Sequence, residues 1–132
     1  MAFVGLKVAV AALMLCALHE SAVAESYVCI PDMRQGFAFR EGHWQAANVT
    51  IKDKLLVKAT GRGRYEVSEF GVKKPPSECF REGVHVRCGG YIRGFLMNVN
   101  TLRFQEFFLQ GYVDGDSPHT PFMSIGRCSQ LD

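Results

Sequence analysis

Residues Leu55–Phe70 read LLVKATGRGRYEVSEF, and the spacing of their apolar side chains decides the fold class. Leu55, Val57 and Ala59 alternate with more polar neighbours, and Tyr65 and Val67 answer them across the glycine-rich Gly61-Arg62-Gly63. A period of two marks a strand with one buried face, and a glycine-rich break between two such runs marks a hairpin. Register is fixed by the same pattern, because a slip of one residue would turn the whole apolar set to water.

The same unit recurs on both sides, a short apolar run followed by a turn signal about every ten residues. GFAFREGHWQAANV reads as two strands around Arg40-Glu41-Gly42. VHVRC places Val84, Val86 and Cys88 on one face and His85 and Arg87 on the other. YIRGFLMNV sets Tyr91, Phe95, Met97 and Val99 on a single face, with Asn98 and Asn100 at the next turn. PFMSIGRC is the last strand, and Pro118 and Pro121 confine the residues before it to a turn or an edge. TLRFQEFFLQGYV is ambiguous. Phe104, Phe107 and Phe108 fit a helical stripe that Gly111 would cap, whereas its aromatic content favours a strand, which is the reading adopted. The expectation is an all-β single domain, an antiparallel barrel or sandwich of about 7–8 short strands.

The opening MAFVGLKVAVAALMLCALHESAVAES has the three parts of a secretory signal: Lys7 in a positive start, an apolar run Val8–Leu18, and Ala22-Val23-Ala24 as a small-x-small cleavage site. The run is too short for the roughly 20 apolar residues that cross a bilayer. Leu15 before Cys16 does not fit lipid attachment. Residues 1–24 are thus expected to be a signal peptide and 25–132 the mature domain, placing the protein in the periplasm or outside the cell. No later stretch reaches membrane-spanning length.

Cleavage leaves four cysteines, Cys29, Cys79, Cys88 and Cys128, an even set that in an exported chain points to two disulfides. Three connectivities are possible. Cys79–Cys88 with Cys29–Cys128 is favoured, because Arg81-Glu82-Gly83 can turn the chain so that Cys79 and Cys88 face each other, and the termini of a domain often lie close together. Pairing of Cys29 with Cys79 or Cys88 stays open. Zinc would call for Cys-x-x-Cys knuckles, and neither spacing occurs.

Of 15 basic and 13 acidic residues only Lys7 and Glu20 leave with the signal, so the mature balance is 14 against 12, still +2. That near-neutral balance gives no case for nucleic acid. Arg62, Arg64, Lys73 and Lys74 read as solvated turn positions. GYVDGDSPHTP contains Asp114, Asp116 and His119, but Pro118 stands where a calcium loop needs an oxygen ligand, and Asp114-Gly115 is a turn signal. No metal or cofactor is expected. His43, His85 and His119 come with neither a Gly-x-Ser-x-Gly elbow nor a His-Glu-x-x-His helix, so no catalytic residue is assigned. The surplus is aromatic. Phe37, Phe39, His43 and Trp44 form a candidate binding patch, with a core role for Trp44 as the competing reading.

YVC near the mature start, GFAF followed by HW, YEVSEFG, the second cysteine pair, FLMNVNTLRF and GYVDGD leading to TPFMSIGRCS cover most of the mature chain. In that order they resemble a group of small exported proteins of Gram-negative bacteria. The resemblance implies export and a shared small domain; it brings no activity, cofactor or catalytic residue.

The expected function is that of a binding or inhibitory module for a protein or glycan ligand in the envelope or outside the cell. A small hydrolase using His43 or His119 with Asp114 or Asp116, and a structural envelope protein, are the alternatives. N-terminal sequencing of exported material should begin at Glu25; material still carrying Met1 would refute the signal.

Overall fold

In the computed structural model, which describes residues 24–51, 53–90, 92–115 and 118–132, the Leu55–Phe70 hairpin is present with Val57 opposite Val67 and Ala59 opposite Tyr65. The predicted signal up to Val23, and Tyr91 and Asp116, lie outside these residues. The described residues form β1 (Ser26–Arg40), β2 (His43–Asn48), β3 (Leu55–Gly61), β4 (Arg64–Glu69), β5 (Ser77–Glu82), β6 (His85–Gly89), β7 (Arg93–Asn98), β8 (Arg103–Phe108) and β9 (Phe122–Leu131). Every pairing is antiparallel. From β3 onward each strand pairs with the next, and β9 returns to β1, which itself pairs with β3. The nine-stranded sheet minus β2 is therefore a closed eight-stranded barrel, with β2 attached outside the ring. Of the two architectures expected, the barrel is the one formed.

The strands are not all short. β1 runs for 15 residues because it serves three neighbours. On one side Ser26–Cys29 pairs with β3 and Gln35–Arg40 with β2; on the other, Ser26–Gly36 pairs with β9. A bulge between Pro31 and Met33 adds a residue to β1. Such an insertion reverses which side chains face inward. Tyr27, Cys29 and Pro31 are buried below it, Arg34 and Gly36 above it, and Met33 is left outside.

Alternation fills the interior. Val57, Val86 and Met97 are fully buried at its centre, with Leu55, Val67, Phe95 and Phe104 around them. Both disulfides lie inside the wall, Cys29–Cys128 across β1 and β9 and Cys79–Cys88 across β5 and β6, on opposite sides of the ring. Met97 Sδ sits 3.9 Å from Cys29 Sγ. Thr101–Val113 resolves into β8 followed by a turn. Phe104 points inward and stacks on Phe95 at 5.5 Å, while Phe107 lies half-buried on the opposite face. Its ring covers Gly94, where a Cβ would come within 2.4 Å of it.

The barrel ends differ. At one, the turns joining β3–β4, β5–β6 and β7–β8 are short, and Ser26 stands opposite Leu131. This closed end is plugged by Glu25, whose Oε2 accepts from Tyr65 Oη at 2.7 Å, Tyr27 Oη at 3.2 Å and Arg81 at 3.5 Å. The other end carries the described residues of 70–76, 90, 92, 109–115 and 118–121 and the β1–β2 hairpin, and it is open. No helix of the described residues is long and apolar enough to cross a membrane.

Burial, reinforced by the adjoining Glu25 carboxylate, pushes the Tyr27 phenol up to about 12. Burial and then the hydrogen bond to Glu25 raise Tyr65 as well, with Arg81 opposing. A phenol that keeps its proton longer when folded stabilises below the unfolded value of about 10 and loses that contribution as pH rises toward the folded one. Unfolding by urea should therefore become easier between pH about 10 and about 12, and Tyr27→Phe should flatten this dependence. An unchanged slope in Tyr27→Phe would show that the closed end does not titrate as described.

Candidate functional site

Beyond Gly36 the first strand leaves the ring and, with β2, forms a two-stranded arm at the open end. Glu41 and Gly42 make its tip with φ of 53° and 79°. Two successive positive φ angles belong to the two-residue turn whose twist matches a hairpin. At the arm's base Gly36 passes so close to the Pro121 carbonyl that a Cβ would lie 2.4 Å from it.

Phe39 stands opposite Trp44 and Phe37 opposite Ala46, so these four share one face of the arm. The Phe39 and Trp44 rings meet edge to face at 5.7 Å, and Trp44 meets Tyr112 of the 109–121 loop in the same way at 5.5 Å. Trp44 is half-buried between them, while Phe37, Phe39 and Tyr112 are 56%, 42% and 64% exposed. The strip continues along the barrel through Met123, Ile125 and Met33, all exposed, with Met33 opposite Ile125. His43 pairs with Arg40 on the other face, and its Nδ1 lies 3.3 Å from the Glu41 carbonyl. The arm thus brings Phe37, Phe39 and Trp44 together, adds Tyr112, and sets His43 apart. Tyr112 was hidden from a sequence reading because its loop meets the arm only through the fold.

β2 pairs with β1 alone, so its second edge is free among the described residues. Natural edge strands are usually guarded by lysine, proline, inward charge or a bulge. HWQAAN has no lysine, proline or carboxylate, and its register against β1 is unbroken. The direction of its backbone groups also follows. Phe37 N–H donates to the Pro121 carbonyl at 3.0 Å, away from β2. Its facing residue Ala46 therefore directs its own N–H and C=O to the free edge, as do Trp44 and Asn48 at the alternate positions.

The arm is rooted in a buried ionic cluster. Arg34, turned inward by the bulge, donates through Nε to Ser124 Oγ at 2.7 Å, through one terminal nitrogen to Asp53 at 3.1 Å, and through the other to Glu106 at 2.5 Å. Its guanidinium lies 4.4 Å from the centre of the Phe122 ring. Arg34, Glu106 and Ser124 are nearly inaccessible. Asp53 belongs to the segment between β2 and β3, so the cluster ties together β1, β8, β9 and the return from the arm.

Beside the arm, the open end holds a cavity of about 440 Å³ lined by Leu55, Val67, Cys88 and Phe95 below and by Glu69, Lys74 and Arg93 at its rim, with Glu106 reaching into it. No histidine is among its described lining residues. His85 and Asp32 line a separate groove on the outside of the barrel, and His119 packs on Phe108 at 5.9 Å between ring centres. Asp114 is exposed in the 109–121 loop, which turns at Gly115 through a bond to the Tyr112 carbonyl. Among the described residues no three His, Cys, Asp or Glu side chains gather as a metal ion would require.

No family model matches the chain, and no curated protein or solved structure does.

Removing one partner of a buried ion pair leaves the other uncompensated, which costs about 3–5 kcal/mol, whereas an apolar replacement of both is often neutral. Arg34→Ala should lose stability of that order in urea titration. Arg34→Met with Glu106→Leu should recover most of it. Equal losses in both proteins would show that the guanidinium is not held by Glu106.

Proposed function

We propose that the protein is an exported binding module, periplasmic or secreted, that takes up an extended segment of a partner protein as a further strand on β2. The observation carrying this reading is the free, unguarded edge of β2 beside an exposed aromatic face. Strand addition draws affinity from main-chain hydrogen bonds and specificity from side-chain contacts on alternate positions. Trp44, Ala46 and Asn48 offer the first, and Phe37, Phe39, Trp44 and Tyr112 offer the second. Aromatic anchors are a common source of binding energy.

Export is supported by the two disulfides, which suit an oxidising compartment. Glu25, the first residue expected after cleavage, is itself built into the closed end. The likeness to small exported proteins of Gram-negative bacteria points the same way.

Ala46→Pro removes an edge donor without touching the hydrogen bonds between β1 and β2. Incubated with envelope and medium proteins of its source, the parent protein should retain a partner whose binding slows hydrogen exchange at the Trp44 and Ala46 amides. Ala46→Pro, with an unchanged melting temperature, should retain none. Capture that survives Ala46→Pro, or that leaves the parent's two amides exchanging at their free rate, would overturn strand addition.

A further inference from the structure

We infer that the cavity at the open end is a second binding site, independent of the arm, for a small soluble amphipathic anion such as a medium-chain carboxylate. Its volume of about 440 Å³ lies in the range of small-molecule pockets. Its lining combines an exposed charged rim with an apolar wall. At the rim two cations share one carboxylate: Arg93 reaches Glu69 Oε1 at 3.0 Å and Lys74 reaches Oε2 at 3.7 Å. The rim therefore carries one positive charge in excess. Arg93 and Lys74 keep side-chain exposures of 54% and 66%, against 19% for Glu69, so the cations are the groups an incoming ligand meets.

Below them the wall is apolar, formed by Leu55, Val67, Phe95 and the Cys79–Cys88 bridge at Cys88. On the β8 side of the cavity Glu106 is engaged by Arg34. With Glu106 already paired, the exposed Arg93 and Lys74 set the ligand's charged head at the rim, with its hydrocarbon against the wall. A cationic amphiphile would place its charge against the excess positive rim, which is the discrimination the site makes.

Gly90 provides a clean obstruction. It lines the cavity, and a Cβ built there meets nothing within 4 Å. The test is calorimetric titration of the disulfide-intact protein with decanoate and with decylammonium, both below their micellar concentrations. Decanoate should bind, and decylammonium should bind at least about tenfold more weakly. Gly90→Trp should abolish decanoate binding while keeping the parent's melting temperature, and Arg93→Glu should reverse the preference between the two amphiphiles.

The inference is overturned if decylammonium binds as tightly as decanoate, if Gly90→Trp binds decanoate like the parent, or if decanoate gives neither heat nor amide shifts. Sedimentation with phosphatidylglycerol vesicles without decanoate binding would likewise overturn it in favour of a lipid surface. Since Ala46→Pro lies outside the cavity, its decanoate binding should equal the parent's, which separates failure here from failure of the strand-addition reading.

Discussion

The ladder between β1 and β9 is the constraint on which the rest of the molecule depends. It closes the ring, and where β1 outruns the barrel the outer edge of β2 is left free among the described residues. Cys29–Cys128 is set within it, at directly facing positions. Its bulge decides which half of β1 shows which side chains to the interior. Without that extra residue Arg34 would point to water and Met33 inward. Glu106 and Ser124 would then lose their buried partner, and the base of the arm its anchor.

A polar thread runs through this apolar barrel. Tyr65, Cys79, Cys88, Phe95, Glu106, Ser124 and Arg34 face one another in turn from β4 around to β1, a single row of the register. Because barrel strands are tilted, such a row climbs as it circles. It starts at the Glu25 plug of the closed end and finishes at the Arg34 cluster of the open end, with the second disulfide and Phe95 between. Among the described residues no buried side-chain nitrogen or oxygen lacks a hydrogen-bond partner, so the polar groups at both ends are satisfied.

How much of this was legible in the sequence follows from what each part depends on. Leu55, Val57, Tyr65 and Val67 declared their hairpin because local alternation alone fixes it. Cys79 and Cys88 declared their bridge because a nearby turn brings them together. Thr101–Val113 was ambiguous because Phe104 serves the core and Phe107 covers Gly94 on the opposite face, so aromatics on both faces imitated a helical stripe. Arg34 was passed over. A residue whose burial depends on a bulge two positions earlier looks like any surface arginine, and its partners Asp53, Glu106 and Ser124 come from distant strands and loops. Of the aromatic patch, Phe37, Phe39 and Trp44 were readable from one hairpin, whereas Tyr112 and the free edge of β2 needed the closed ring to be seen. The cavity was invisible for the same reason, being made by six strands and two loops that meet only at the open end.

The facing of Ser26 and Leu131 at the closed end has a practical consequence for orientation. The two ends of the β ladder lie side by side, on the opposite pole from the arm, the 109–121 loop and the cavity. A linker joined at either end therefore holds the molecule by its plugged base and leaves the aromatic arm and the cavity mouth facing outward. In the mature form proposed above, the same adjacency suits circular permutation: a short bridge from Leu131 to Glu25 would keep the plug and every strand pairing, and new termini could open in the 70–76 loop without cutting a ladder.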